Sequence, residues 1–83
     1  MNFKIIWDTK AKKDFKKLEK IIAIRIYKKI NSLKENFNSV DIKRLQNSDL
    51  FRLRVGDYRV LFEIEKNIII ILKISNRKNI YKQ

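Results

Sequence analysis

Hydrophobic positions along this chain follow two rhythms, and the change between them marks its elements. Residues 2–7 alternate, with Phe3, Ile5 and Trp7 against Asn2, Lys4 and Ile6, as a strand does. Asp8 or Thr9 then offers a side-chain oxygen to the first free N–H groups of a helix. Over residues 10–19, Ala11, Phe15 and Leu18 recur at helical spacing and share one face. Residues 21–36 repeat the pattern more strongly, through Ile22, Ile26, Ile30, Leu33 and Phe37. The short link near Lys20 predicts an antiparallel helical hairpin.

A polar stretch, residues 36–49, reads as a crossing linker with Ile42 and Leu45 as anchors. Alternation then returns. Residues 50–55 set Phe51, Leu53 and Val55 against Arg52 and Arg54. Gly56-Asp57 is a two-residue turn of the kind that needs glycine first. Residues 58–65 place Tyr58, Val60, Phe62 and Ile64 on the core side. Lys66-Asn67 turns the chain into residues 68–75, apolar on both faces and therefore expected in the middle of the sheet. The first strand is expected to join an edge. The fold class is α+β: an N-terminal strand, the helical hairpin, then a three-stranded antiparallel meander (β-α-α-β-β-β), with the helices packed on one face.

Composition narrows the chemistry. Eighty-three residues allow one domain, 1–83, and 45% hydrophobic content suffices for its core. There is no cysteine and no histidine, which removes disulfides, thiol catalysis, thiolate metal sites and the usual neutral-pH base. Neither a metal nor a cofactor is expected. The opening MNFKIIW is too short for a secretory signal, and the apolar run 68–72 is far below the roughly 20 residues that span a bilayer. A cytoplasmic location without membrane contact is the expectation.

Charge then gives direction. Twenty-one basic and nine acidic residues give a net charge of +12, which favours polyanionic partners, nucleic acid first. The first helix carries Lys10, Lys13 and Lys17 among its lysines, the linker Lys43 and Arg44, the tail Lys78. All six are candidate RNA-binding positions. The hairpin supplies the sharper feature. A two-residue turn sets Val55 opposite Tyr58, Arg54 opposite Arg59 and Leu53 opposite Val60. Opposed residues project from the same side, so Arg54, Arg59 and Arg52 converge there. Glu63, opposite Leu50, is the counter-charge on that side and can match one arginine only. Crowded like charges destabilise a sheet, while guanidinium forks match phosphate geometry. Tyr81, Glu63 and Glu65 are the groups available for proton transfer, and a phenol beside cations ionises more easily.

The segment from Phe51 to Val60, FRLRVGDYRV, resembles the most recognisable stretch of the RelE/ParE superfamily of bacterial and archaeal toxins, an aromatic-R-x-R-V-G-x-Y-R pattern. ISNRKNIY, from Ile74 to Tyr81, resembles a second family segment, often G-H-R-K-x-x-Y. The resemblance implies a type II toxin–antitoxin toxin: a ribosome-dependent, metal-independent endoribonuclease that cuts mRNA in the ribosomal A site by 2′-hydroxyl attack. It implies catalytic roles for Arg52 and Arg54 at the reacting phosphate and for Arg59 in the transition state. It further places Arg77 near the leaving oxygen and Tyr81 at the 2′-hydroxyl. It also implies an acidic, RelB-like antitoxin and a toxin–antitoxin hetero-oligomer. The family's alternatives are a ParE-like gyrase poison without RNase activity or, outside toxicity, a non-catalytic RNA-binding module. Three positions depart from the pattern: Arg52 and Arg54 stand at a basic pair that is lysine in some ribosome-dependent members, and Asn76 stands where histidine is common.

Overall fold

The computed structural model describes residues 3–35, 41–46 and 48–76. The elements are β1 (Lys4–Trp7), α1 (Thr9–Lys16), α2 (Lys20–Ser32), β2 (Ile42–Arg44), β3 (Leu50–Val55), β4 (Tyr58–Glu65) and β5 (Ile68–Asn76). They form one five-stranded sheet in the order β1-β5-β4-β3-β2. β5 is an inner strand, with β1 on one side and β4 on the other, but β4 holds the middle of the sheet and the second apolar face of β5 is not covered by a helix. β1 runs parallel to β5, so the sheet is mixed.

Both helices cover one face. Ala11, Ile26, Ile30 and Leu33 pack with Leu53, Val60, Phe62, Ile69, Ile71 and Ile74 in a single buried core. Phe62 stacks on Phe51 with ring centroids 5.5 Å apart. Asp8 caps α1, its carboxylate accepting from the Lys10 N–H at 3.1 Å. α1 stops at Lys16, three residues short of the predicted end, and α2 stops at Ser32 rather than 36. Neither stop carries a glycine or proline, so spacing alone could not mark it.

Two further differences bear on the site. The stretch expected to be a linker contains β2, three residues paired with β3, so the meander gains an edge strand. Lys43 and Arg44 therefore sit in a strand, not a loop. β5 also carries a bulge. Leu61 pairs with Lys73 and Phe62 with Ile71, leaving Leu72 as the extra residue. The bulge shifts the alternation by one position. That is why Ile69, Ile71 and Ile74 are all buried although the last breaks the period of two. The bulge turns Lys73 outward, onto the face opposite the helices.

Candidate functional site

The predicted hairpin register holds residue for residue: Val55 opposite Tyr58, Arg54 opposite Arg59, Leu53 opposite Val60, Leu50 opposite Glu63. Gly56 sits at φ 59°, in the left-handed region, and Asp57 does not, as a turn that requires glycine first should be. Leu53 and Val60 point into the core. The residues between them in the alternation, Arg52, Arg54 and Arg59, project from the other face.

That face is built in rows. Arg54, Arg59 and Ser75 lie side by side across β3, β4 and β5. One step further from the turn come Lys43, Arg52, Leu61 and Lys73, across β2 to β5. Five cations thus surround Leu61 and Ser75. Arg52 and Arg59 are partly buried, and Arg54 is exposed. Glu63 lies in the following row, beside Leu50 and Ile70. Among the described residues, no carboxylate pairs with Arg52, Arg54 or Arg59. A hollow of about 120 Å³ opens between Arg52, Arg54, Tyr58 and Arg59, alongside Gly56 and Asp57.

The backbone brings the arginines as near as a sheet allows. The Arg54 N–H donates outward, to the Asp41 carbonyl at 2.9 Å, and so takes no part in bonding to β4. Arg54 and Arg59 are accordingly a non-hydrogen-bonded pair, the type whose opposed side chains stand closest, with Cα atoms about 4.5 Å apart.

The other candidates divide. Lys43 joins the arginine face through its pairing with Arg52. Arg44 points the opposite way, where its Nε donates to the Ser48 carbonyl at 3.1 Å and its Nη2 lies 3.6 Å from Asp49. Lys10 is committed to Asp14, 2.6 Å away. Lys13 and Lys17 are exposed on the helical side of the sheet, away from the arginines. Arg77, Lys78 and Tyr81 lie outside the described residues. β5 ends at Asn76, one residue past Ser75, which pairs with Arg59.

Asp14 has a structural task that its lysine-rich surroundings concealed. It is the buried charged residue of the described core, 9% exposed. Its carboxylate accepts from Lys10 Nζ at 2.6 Å and from the Ile74 N–H at 3.0 Å, tying α1 to β5. Burial pushes its pKa up, but the Lys10 and Ile74 hydrogen bonds and the charges of Lys10 and Lys73 outweigh this and hold it below 3.8. Sequence reasoning also missed Lys73, since the bulge that aims it outward leaves no mark in an apolar run.

Comparison with known proteins follows the same outline. Residues 5–81 match the family model described as ParE toxin of type II toxin–antitoxin system. The putative toxin RelE1 of Methanocaldococcus jannaschii is 36% identical, over 99% of this chain and 98% of its own. Among solved structures, the RelB–RelE antitoxin–toxin complex from Methanococcus jannaschii superposes with a TM-score of 0.79 at 29% identity, over 92% of this chain and 94% of that one. The archaeal RelE–RelB complex from Pyrococcus horikoshii OT3 gives 0.80 at 26% identity, over 93% and 97%.

Proposed function

The chain belongs to the RelE/ParE superfamily of type II toxin–antitoxin toxins, and on that premise we propose that it is an endoribonuclease cleaving mRNA in the ribosomal A site. The observation that carries this is the Arg54–Arg59 pair, flanked by Arg52, none of which forms an ion pair with a carboxylate among the described residues. An RNA phosphate supplies the missing anion.

In the proposed step the ribose 2′-oxygen forms a bond to the adjacent phosphorus. The phosphorus–5′-oxygen bond breaks. The products are a 2′,3′-cyclic phosphate and a 5′-hydroxyl. The intervening phosphorane carries more negative charge than the ground state, so fixed guanidinium groups bind it more tightly than they bind substrate. Arg52, Arg54 and Arg59 supply that charge, which leaves no step requiring a metal. Tyr81, ionised to the phenolate by the cations around it, orients the 2′-hydroxyl and takes its proton, while Arg77 stabilises the departing 5′-oxygen, which takes its proton from solvent water. Arginine itself is a poor base, because it is essentially never neutral.

The same premise gives the chain an acidic, RelB-like antitoxin and a hetero-oligomeric resting form. α2 supports this with exposed apolar side chains. Ile21 is 79% exposed, and Ile24 and Tyr27 follow at helical spacing. Tyr27 also lines an apolar hollow with Trp7, Phe15 and the exposed Lys12 and Lys16. An amphipathic acidic segment matches both the apolar strip and the lysines.

The test is primer extension on cellular mRNA after induced expression. Wild type is expected to leave discrete cleavage ends, while Arg59→Ala folds normally and reduces them by about 10²- to 10³-fold, the cost of losing one transition-state donor. Cleavage by purified chain with ribosomes is expected to survive EDTA. Undiminished cleavage by a variant lacking Arg59, Arg77 and Tyr81 together would overturn the proposal. DNA damage without mRNA ends would point instead to gyrase.

A further inference from the structure

We propose that Arg25 and Arg54 form a second phosphate subsite, which holds the RNA linkage neighbouring the one that reacts on the arginine face. The inference rests on the reading of that face as an RNA site and extends it around the hairpin turn.

Arg25 lies on α2 next to the buried Ile26 and the half-buried Ile22, and is itself exposed. Its guanidinium reaches the end of the β3–β4 hairpin. A Cβ added at Gly56 would lie 3.4 Å from Arg25 Nη1. Arg25, Lys29, Asp41, Arg54, Val55 and Gly56 line one open hollow of about 320 Å³. Within it Lys29 and Asp41 pair at 2.9 Å and cancel. Arg25 and Arg54 have no anionic partner among the described residues. The hollow is therefore cationic, and its two unmatched groups are forks suited to phosphate oxygens.

Its position gives the ligand class. Arg54 and Gly56 line this hollow and also the smaller one between Arg52 and Arg59. Two anion sites that share a wall suit a chain with phosphates at regular intervals, where a lone phosphate fills only one. Glycine at position 56 serves the passage between them as well as the turn. With φ at 59°, any side chain there is strained.

The probe is a short fluorescent single-stranded RNA with 2′-O-methyl groups, which binds without being cut. Its anisotropy is measured with the full chain over a potassium chloride series. Arg25→Gln is expected to weaken binding by about fivefold to tenfold near 0.1 M salt and to lower the log–log salt slope by about one, as the loss of one phosphate contact requires. Arg25→Lys, which keeps the charge and loses the fork, should fall between. A neutral methylphosphonate at the linkage beside the reacting one should reproduce the loss in wild type and add nothing in Arg25→Gln. Wild-type affinity and slope in Arg25→Gln, with Arg59→Gln impaired, would overturn the subsite and leave the arginine face standing. So would an Arg25→Gln variant that loses an acidic peptide but keeps RNA, because the surface would then belong to a protein partner. Indifference of RNA binding to both Arg25→Gln and Arg59→Gln would remove the RNA reading itself, and the subsite with it.

Discussion

Leu53 faces Val60 on one side of the β3–β4 hairpin; one step nearer the turn, on the other side, Arg54 faces Arg59. The backbone and the register are shared, and the outcomes are opposite. On the helical side each side chain finds an apolar neighbour, and burying a residue such as Leu53, Val60 or Phe62 stabilises by about 1.5–3 kcal/mol. On the outer side opposed like charges cost roughly 0.2–1 kcal/mol per pair. The core wins by a wide margin, so the hairpin can carry a face that works against its own stability. The arginines stay close together because the other face holds the strands in place.

The largest break in that contrast comes from the core. Phe62 is fully buried and stacked on Phe51. Phe62→Ala should cost about 3–5 kcal/mol. A domain of this size has roughly 4–12 kcal/mol in total at about 0.05–0.15 kcal/mol per residue, so the variant should lose a large share of its stability. Urea midpoints at one salt concentration measure this. A shift no larger than that of Arg59→Ala would mean that the two faces do not differ as described.

Asp14 sharpens the comparison from the side of charge. It is a buried anion with its partners in place, where the arginines are cations without them. Asp14→Ala leaves the Ile74 N–H unmatched and should cost about 1–3 kcal/mol. Asp14→Asn keeps an acceptor for that N–H and should cost less. The acid response follows from the direction of the shift. The folded carboxyl titrates below its ordinary 3.8, so the unfolded chain binds the proton first as pH falls. Its stabilisation is complete above that value and disappears as pH drops through the lower folded one. Urea titrations from about pH 5 to about pH 2, roughly the range over which such a group titrates, should show a shallower acid decline in Asp14→Asn than in wild type. Parallel declines would detach Asp14 from the acid response.

The contrast between the two hairpin faces was legible in the sequence, because a two-residue turn allows one register and the register assigns every side chain to a face. The apolar repeat Ile22, Ile26, Ile30, Leu33 was legible from its helical spacing, and the inner place of β5 from its apolar run. What escaped depends on partners distant in sequence. β2 is three residues long and its pairing with β3 is its only signal. The β5 bulge exists because the strand must match both β4 and the core, and an unbroken apolar run hides where it falls. Asp14 stands among lysines as a surface residue would, and only the approach of the Ile74 N–H buries it. Arg25 occupies a solvent-facing helical position, and its site appears only when the hairpin turn reaches it.

The smallest expected effect tests the outer face most directly. If Arg54 and Arg59 repel, removing one charge should stabilise the fold. Arg54→Thr keeps a strand-favouring residue at an exposed position and should gain about 0.2–1 kcal/mol at low salt. The gain should shrink near 1 M salt, where the screening length falls to about 3 Å. A loss of packing would behave otherwise, since salt screens charge and leaves apolar contact in place. The same variant should bind RNA less tightly, because Arg54 lines both hollows. Stability and binding would then move in opposite directions on one substitution, as expected of a charge that serves the ligand rather than the fold. If Arg54→Thr instead lost stability at every salt concentration, Arg54 would belong with Leu53 and Val60 as a structural residue, and the functional reading of this face would rest on Arg52 and Arg59 alone.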